Sequence, residues 1–292
     1  MTKILVTGAT GNIGRKTLQH LMKRMPATDL VGLARDPAKA ADLAAAGIDI
    51  RQGDYFDPDG LVRAFEGIEK LMLVSATAFT DRNTQHQNAI SAARQAGIKY
   101  IVYMPIIHEA ASAFALPDIT DQDLFVEEQL KASGLAYTLV GHPPFIESIP
   151  FFIGSNPLEI GVRAPAGSGK AGFASRDDLA EAHAVVLSEW GHEYKTYTLY
   201  GDPAVSFSDI ADILSDVSGK KVPYVAGTDE DYIAHLMASG LPEPAARFAL
   251  GWMQGVNSGA WDGQAGDLEK LLGRTPMTAA EFLRTTYAKR AR

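Results

Sequence analysis

The chain has 292 residues, 46% of them hydrophobic and 21% charged, with 27 Lys and Arg against 35 Asp and Glu for a formal net charge of −8. That length holds one large or two modest domains with a real core, and the composition argues against a disordered or fibrous chain. With no cysteine there are no disulfides, thiolate nucleophiles or thiolate metal sites, and an acidic chain without a basic stripe is not built to bind duplex nucleic acid.

The seven histidines are scattered without ligand spacing, so no metal is expected. A strand pattern begins at Lys3, leaving no room for a signal peptide, and no apolar run is long enough to span a bilayer. The expectation is a cytoplasmic protein, monomer or homodimer, with no membrane or nucleic-acid partner. The closing "KRAR" reads as a helix end that complements its dipole.

In chain order, apolar runs predict strands over 4–8, 29–35, 48–54, 70–76, 100–105 and 136–141, with helical patterns near 12–24, 37–46, 58–66, 82–97 and 121–134. Several strand runs are apolar throughout, as in a sheet covered on both faces. Strands alternating with helices imply right-handed crossovers and a doubly wound parallel sheet of the α/β class. After Gly141 the rhythm breaks: "GHPPFIESIPFFIGSNP" is dense in proline and large apolar residues and suits a packed loop or pocket lining. Residues 169–190 then read as a short strand and a helix capped by Ser175 or Asp177. Residues 195–202 read as a strand, the following helix ends at Gly219, and the chain from about 228 is largely helical.

The first strand runs into "TGATGNIG", which places Gly8, Gly11 and Gly14 between strand and helix. A strand-to-helix turn exposes the helix's first N–H groups to a pyrophosphate, and glycines permit the tight turn and close packing. The spacing is GxxGxxG and departs from GxGxxG, so the βαβ context carries the reading of a dinucleotide turn. At the end of the second strand, "VGLARDP" offers Arg35 where a 2′-phosphate would lie and no acid until Asp36, which favours NADP(H) over NAD(H). Alternatively Arg35 is solvated and Asp36 caps the next helix. After the third strand, Asp54 could accept from an adenine amino group with Tyr55 packed beside it, while Asp57 caps the helix starting at Pro58. Ser75 and Ala76 close the fourth strand, at the edge a bound nucleotide must cross.

The motifs "TGATGNIG", "GDYFDP", "KASGLAYTLV", "SRDDLAEAHAVVL", "YTLYG" and "SDVSGKK" together resemble the NmrA-like atypical short-chain dehydrogenase/reductases, in the bacterial branch of NADPH-dependent quinone and triphenylmethane dye reductases. The resemblance implies an NAD(P)-binding Rossmann fold with a smaller, mostly helical C-terminal domain: residues 1–140, with about 170–200 returning to the sheet, and then 141–169 with 201–292. It implies NADP(H) contacts at Gly8, Thr10, Gly11, Asn12, Ile13, Arg35, Asp54, Ser75 and Ala76. None of the ten tyrosines has Lys four residues on, so the Tyr-x-x-x-Lys proton donor is absent, as in the atypical branch. Met104-Pro105 stands where relatives carry a polar pair beside the cofactor, Asp123 where they carry His or Lys, and Val140-Gly141-His142 where they show Leu-Arg-Asn.

His108, with Glu109 beside it, and His142 lie at the sheet's carboxyl edge and are candidate proton donors; Asp123 is a candidate substrate contact or a helix-start residue. Pro143, Phe145, Ile146 and Phe151, with Ile149 and Phe152, are candidates for an apolar acceptor pocket or for ordinary core. The leading expectation is an NADPH-dependent reductase acting on a planar apolar small molecule such as a quinone, dye or aromatic carbonyl. The alternatives are a catalytically silent NAD(P)-sensing regulator and a non-redox enzyme that uses the nucleotide structurally.

Overall fold

The computed structural model describes residues 2–108, 113–263 and 266–288. Glu109 and the basic tail lie outside the described residues. In chain order the chain forms β1 (Ile4–Val6), α1 (Asn12–Leu21), β2 (Leu30–Ala34), α2 (Ala41–Ala45), β3 (Asp49–Gln52), α3 (Pro58–Phe65), β4 (Lys70–Leu73), α4 (Arg82–Gln95), β5 (Tyr100–Tyr103), α5 (Thr120–Ala132) and β6 (Ala136–Gly141). There follow α6 (Ile149–Ile153), α7 (Pro157–Ile160), β7 (Val162–Pro165), α8 (Arg176–Ser188), β8 (Thr196–Thr198), α9 (Phe207–Ser218) and β9 (Tyr224–Gly227). Helices α10 (Asp229–Ala238), α11 (Glu243–Asn257), α12 (Asp267–Leu272) and α13 (Ala279–Tyr287) complete the chain.

Seven strands form one parallel sheet in the order β3-β2-β1-β4-β5-β6-β8. This is the doubly wound α/β fold the alternation predicts. The inner strands β1, β2, β4, β5 and β6 are largely apolar because both faces are covered, whereas the edge strands β3 (DIRQ) and β8 (TYT) are polar and partly exposed. On β1, Ile4 and Val6 join one cluster with Leu18, Leu21, Leu179 and Val186 of α1 and α8. Leu5 points the other way, into a cluster with Phe65, Ala93, Val126 and Leu130 of α3, α4 and α5. A further cluster, around β7 and β9, gathers Phe152, Phe207, Leu214, Met253, Trp261, Leu283 and Tyr287 of the mostly helical C-terminal region.

Local signals start the helices. Asp57 accepts from the Gly60 N–H at 3.0 Å with Pro58 in the first turn, Asp81 from Thr84 at 3.2 Å, and Ser175 from Asp178 at 3.0 Å, so each side chain satisfies one of the orphan N–H groups of a helix start. Two sequence expectations need correction. The helix near 37–46 is a 3-10 turn over Pro37–Ala40 followed by the short α2, because Asp36 caps the turn by accepting from Ala38. The short strand expected at 169–175 forms only isolated bridges, Ala171 to Val205 and Trp261 and Ala174 to Phe145, since no regular strand runs beside it. Conversely, β7 and β9 pair as a separate parallel sheet that the sequence did not announce. Among the described residues, no helix is long and apolar enough to cross a membrane.

Candidate active site

The sheet order puts β2 and β3 on one side of β1 and β4, β5 and β6 on the other. Their carboxyl ends part at the β1–β4 switch point, where doubly wound sheets bind ligands. A cavity of about 580 Å³ opens there.

Gly8, Thr10, Gly11, Asn12, Ile13 and Gly14 line its centre. Gly8 turns the chain at φ +61°, in the left-handed region that glycine adopts without strain. The N-terminus of α1 has no side-chain cap and no acid in its first turn, so its leading N–H groups remain available to an anion. A Cβ on Gly14 would stand 2.4 Å from the Gly8 carbonyl oxygen and 2.6 Å from that of Thr7, so this glycine lets α1 lie against the strand end. Gly14→Val is expected to cost about 1–3 kcal/mol of stability through this backbone clash, to be read as a lowered urea midpoint with unchanged m-value.

On the β2–β3 side the cavity is lined by Arg35, Asp54 and Tyr55, with Leu33, Ala34 and Gly53. Arg35 is exposed and, among the described residues, has no ion-pair partner. Asp54 accepts from the Phe56 N–H at 2.9 Å. The Tyr55 phenol lies 2.6 Å from Thr7 Oγ1 and 2.8 Å from the Val74 carbonyl oxygen. Burial pushes its ionisation well up, so it stays a neutral brace between β1 and β4.

On the β4–β6 side the lining is Val74, Ser75, Ala76, Thr77, Thr80, Gln85, Met104 and Phe145. Ser75 Oγ donates to the Met104 carbonyl at 2.8 Å, tying the ends of β4 and β5. The Arg176 guanidinium covers one face of Phe145, 4.4 Å from the ring centroid. None of these eight lining residues ionises; the ionisable side chains of the cavity, Arg35, Asp54 and Tyr55, all stand on the β2–β3 side.

The remaining sequence candidates stand outside this lining. Asp123 is buried under the β5 end, where it receives Arg82 Nη2 at 2.7 Å, the Tyr103 hydroxyl at 2.7 Å and the Ile106 N–H at 2.8 Å. His142 is buried against His183, Nε2 to Nε2 2.8 Å; burial holds His142 well below the usual histidine range and pushes His183 down to about 3. His108 reaches Glu127 at 3.3 Å. Pro105, which accepts from the His142 N–H, and Pro143 are buried. Ile146 packs in the C-terminal cluster, while Phe151 is 40% exposed. Sequence reasoning missed Thr77, Thr80 and Gln85; Thr80 Oγ1 lies 2.8 Å from Gln85 Oε1, and their one signal is that they follow the fourth strand, Thr77 and Thr80 in the loop and Gln85 in the first turn of α4.

A family model described as NAD(P)H-binding matches residues 8–189. Quinone oxidoreductase 2 of Escherichia coli K12 is 40% identical over 281 residues, covering 95% of this chain and 96% of that protein. The solved NADPH complex of an E. coli NADPH-dependent quinone oxidoreductase superimposes with a TM-score of 0.90 at 37% identity, over 97% of this chain and 99% of that one. The NADP(H) complex of Citrobacter sp. triphenylmethane reductase gives 0.89 at 33% identity, over 99% and 100%.

Proposed function

The chain belongs to the NAD(P)H-binding, NmrA-like family of oxidoreductases, and from that premise we propose that it is an NADPH-dependent reductase delivering a hydride to a planar apolar acceptor such as a quinone, dye or aromatic carbonyl. The glycine turn and the uncapped start of α1 suit a pyrophosphate. Arg35, exposed and without an ion-pair partner among the described residues, is the residue for the 2′-phosphate. With that end fixed, the nicotinamide half extends toward Ser75, Ala76, Met104 and Phe145. NADPH bound there supplies the hydride. The protein's share is orientation and exclusion of water, with residues 141–169 and 201–292 closing the acceptor side.

One observation carries the acceptor class: among the described residues, the nicotinamide side of the lining has no ionisable group. A quinone that takes up a hydride needs one proton to become a hydroquinone, and solvent can deliver it; a cationic dye needs none. A simple ketone, aliphatic or aromatic, develops a strongly basic alkoxide and calls for a positioned acid, which this lining does not offer, so within the class a quinone or cationic dye is favoured over an aromatic carbonyl. The relatives named for quinones and triphenylmethane dyes support the same class.

Parallel titrations with NADPH and NADH, followed by nicotinamide fluorescence, test the cofactor assignment. Arg35→Ala is expected to weaken NADPH binding about 10- to 100-fold through loss of charge-assisted hydrogen bonds, leaving NADH binding within about twofold of wild type. Equal losses for both nucleotides would overturn Arg35 as the phosphate clamp. A steady-state screen with a quinone, a triphenylmethane dye and an aliphatic ketone then tests the acceptor class; turnover of the ketone alone would refute it.

A further inference from the structure

His86 lies on α4, fully buried and outside the cavity lining. Its Nε2 is 2.9 Å from the backbone nitrogen of Ala76, which does line the cavity. A backbone N–H can only donate, so Nε2 accepts and the ring's proton sits on Nδ1. Nδ1 is itself buried and has no hydrogen-bond partner among the described residues. An unpaired buried donor is a cost that a leucine at this position would avoid, so the acceptor facing Ala76 is what the imidazole contributes.

Neighbouring groups fix that state. Burial, with the charge of Arg82 one turn earlier on α4, pushes His86 down to about 3, which keeps Nε2 free to accept. Arg82 is held by Asp123 of α5, and the same carboxylate receives the Tyr103 hydroxyl and the Ile106 N–H. The Tyr103 ring stands near-perpendicular to His86, centroids 5.5 Å apart, and Tyr55 lies on another side at 6.2 Å. One buried assembly thus grips the end of β4 through Ala76 and the end of β5 through Ile106. Between those points stand Ser75 and Met104, already tied to each other.

Resting on the reading of this cavity as an NADPH site, we propose that His86 is a positioning residue for hydride transfer: by accepting from Ala76 it sets the strand-end backbone against which the nicotinamide half lies, with Arg82 and Asp123 holding it in place. The phosphates are bound by the glycine turn and Arg35, away from His86; Tyr55, which lines the same side, meets His86 only through its ring and stays braced by Thr7 and Val74.

The test compares His86→Leu, which fills the space without an acceptor, with His86→Gln, whose Oε1 can restore one near the position of Nε2. Each is titrated with NADPH and with 2′-phospho-ADP-ribose, which lacks the nicotinamide, and assayed for single-turnover NADPH oxidation by a soluble benzoquinone. His86→Leu is expected to bind 2′-phospho-ADP-ribose within about twofold of wild type while hydride transfer falls about tenfold or more, as misplacement of reacting groups does. His86→Gln is expected to recover the rate to within about threefold of wild type. A wild-type rate in His86→Leu, equal impairment of both variants, or equal loss of binding for fragment and cofactor overturns the proposal. Nitrogen-15 shifts of His86 in the wild-type protein give a reading independent of any variant's folding, since a proton on Nε2 would also overturn it. If the wild-type protein binds neither nucleotide, the reading of the cavity falls and this proposal with it.

Discussion

Between pH 6.5 and 4, stability should fall by about 4 kcal/mol per pH unit at the steepest, because three histidines are locked neutral in the core. His86, His142 and His183 are all fully buried. Burial lowers each, His86 and His183 to about 3 and His142 well below its ordinary value of 6.5. In the unfolded chain each imidazole takes a proton near pH 6.5, whereas the folded state refuses it until far lower. From pH 6.5 downward the unfolded state therefore binds protons that the folded state does not, at about 1.4 kcal/mol per pH unit for each histidine. The carboxylates held low by partners, such as Asp42, Asp177 and Asp209, add their losses as pH falls through the usual carboxylate range and below it. The His142–His183 contact fits neutral rings, since one Nε2 must donate and the other accept. Urea midpoints at pH 7, 6 and 5 give the slope, and His183→Leu should reduce it by about 1.4 kcal/mol per unit. A flat profile over this range would mean that these rings are not held neutral.

Asp123→Asn should destabilise the protein by about 3–5 kcal/mol, the cost of leaving a buried charge unpaired. Arg82 is 2% exposed and Asp123 0%, so water cannot replace a lost partner. The two halves of the pair are unequal. Without its carboxylate, Arg82 stays charged because a guanidinium does not give up its proton in a protein. In Arg82→Met, by contrast, Asp123 can take a proton and become neutral, and burial already pushes its ionisation up. The arginine variant should therefore lose less than Asp123→Asn, and the double variant should regain part of the loss. Equilibrium urea unfolding of the three proteins measures this order. If Asp123→Asn kept wild-type stability while losing turnover, the carboxylate would be a substrate-facing group and the buried pair dispensable.

The parts of the fold and site that were legible in the sequence are those fixed by local chemistry. The glycine turn, the caps at Asp57 and Ser175, and the apolar strand runs each depend on neighbours a few residues away. The illegible parts are pairings across long intervals. Asp123 sits in the first turn of α5, a position that reads equally as a surface acid, and only the fold brings Arg82 to it. His142 occupies a place suited to chemistry at a strand's end, until α8 swings His183 against it. His86 gave no signal, because its partner is a backbone N–H. Strands β7, "VRAP", and β9, "YVAG", carry Pro or Gly where a strand signal needs an apolar or β-branched run, and each is ordered by the other.

That last pairing also bears on how the chain emerges during synthesis. Strand β7 pairs with β9 alone, and between them in the chain lie α8, β8 and α9. The sheet side, through β6, can gather its strands in the order they are made. The segment carrying Ile149, Phe152 and Ile153 cannot finish its packing at that stage, because its cluster includes Leu283 and Tyr287 near the chain's end. A growing chain must carry this apolar stretch incompletely covered while about 130 further residues, from Ile153 to Leu283, are added, so this cluster closes last, and it is there that a stalled or truncated chain exposes its stickiest surface.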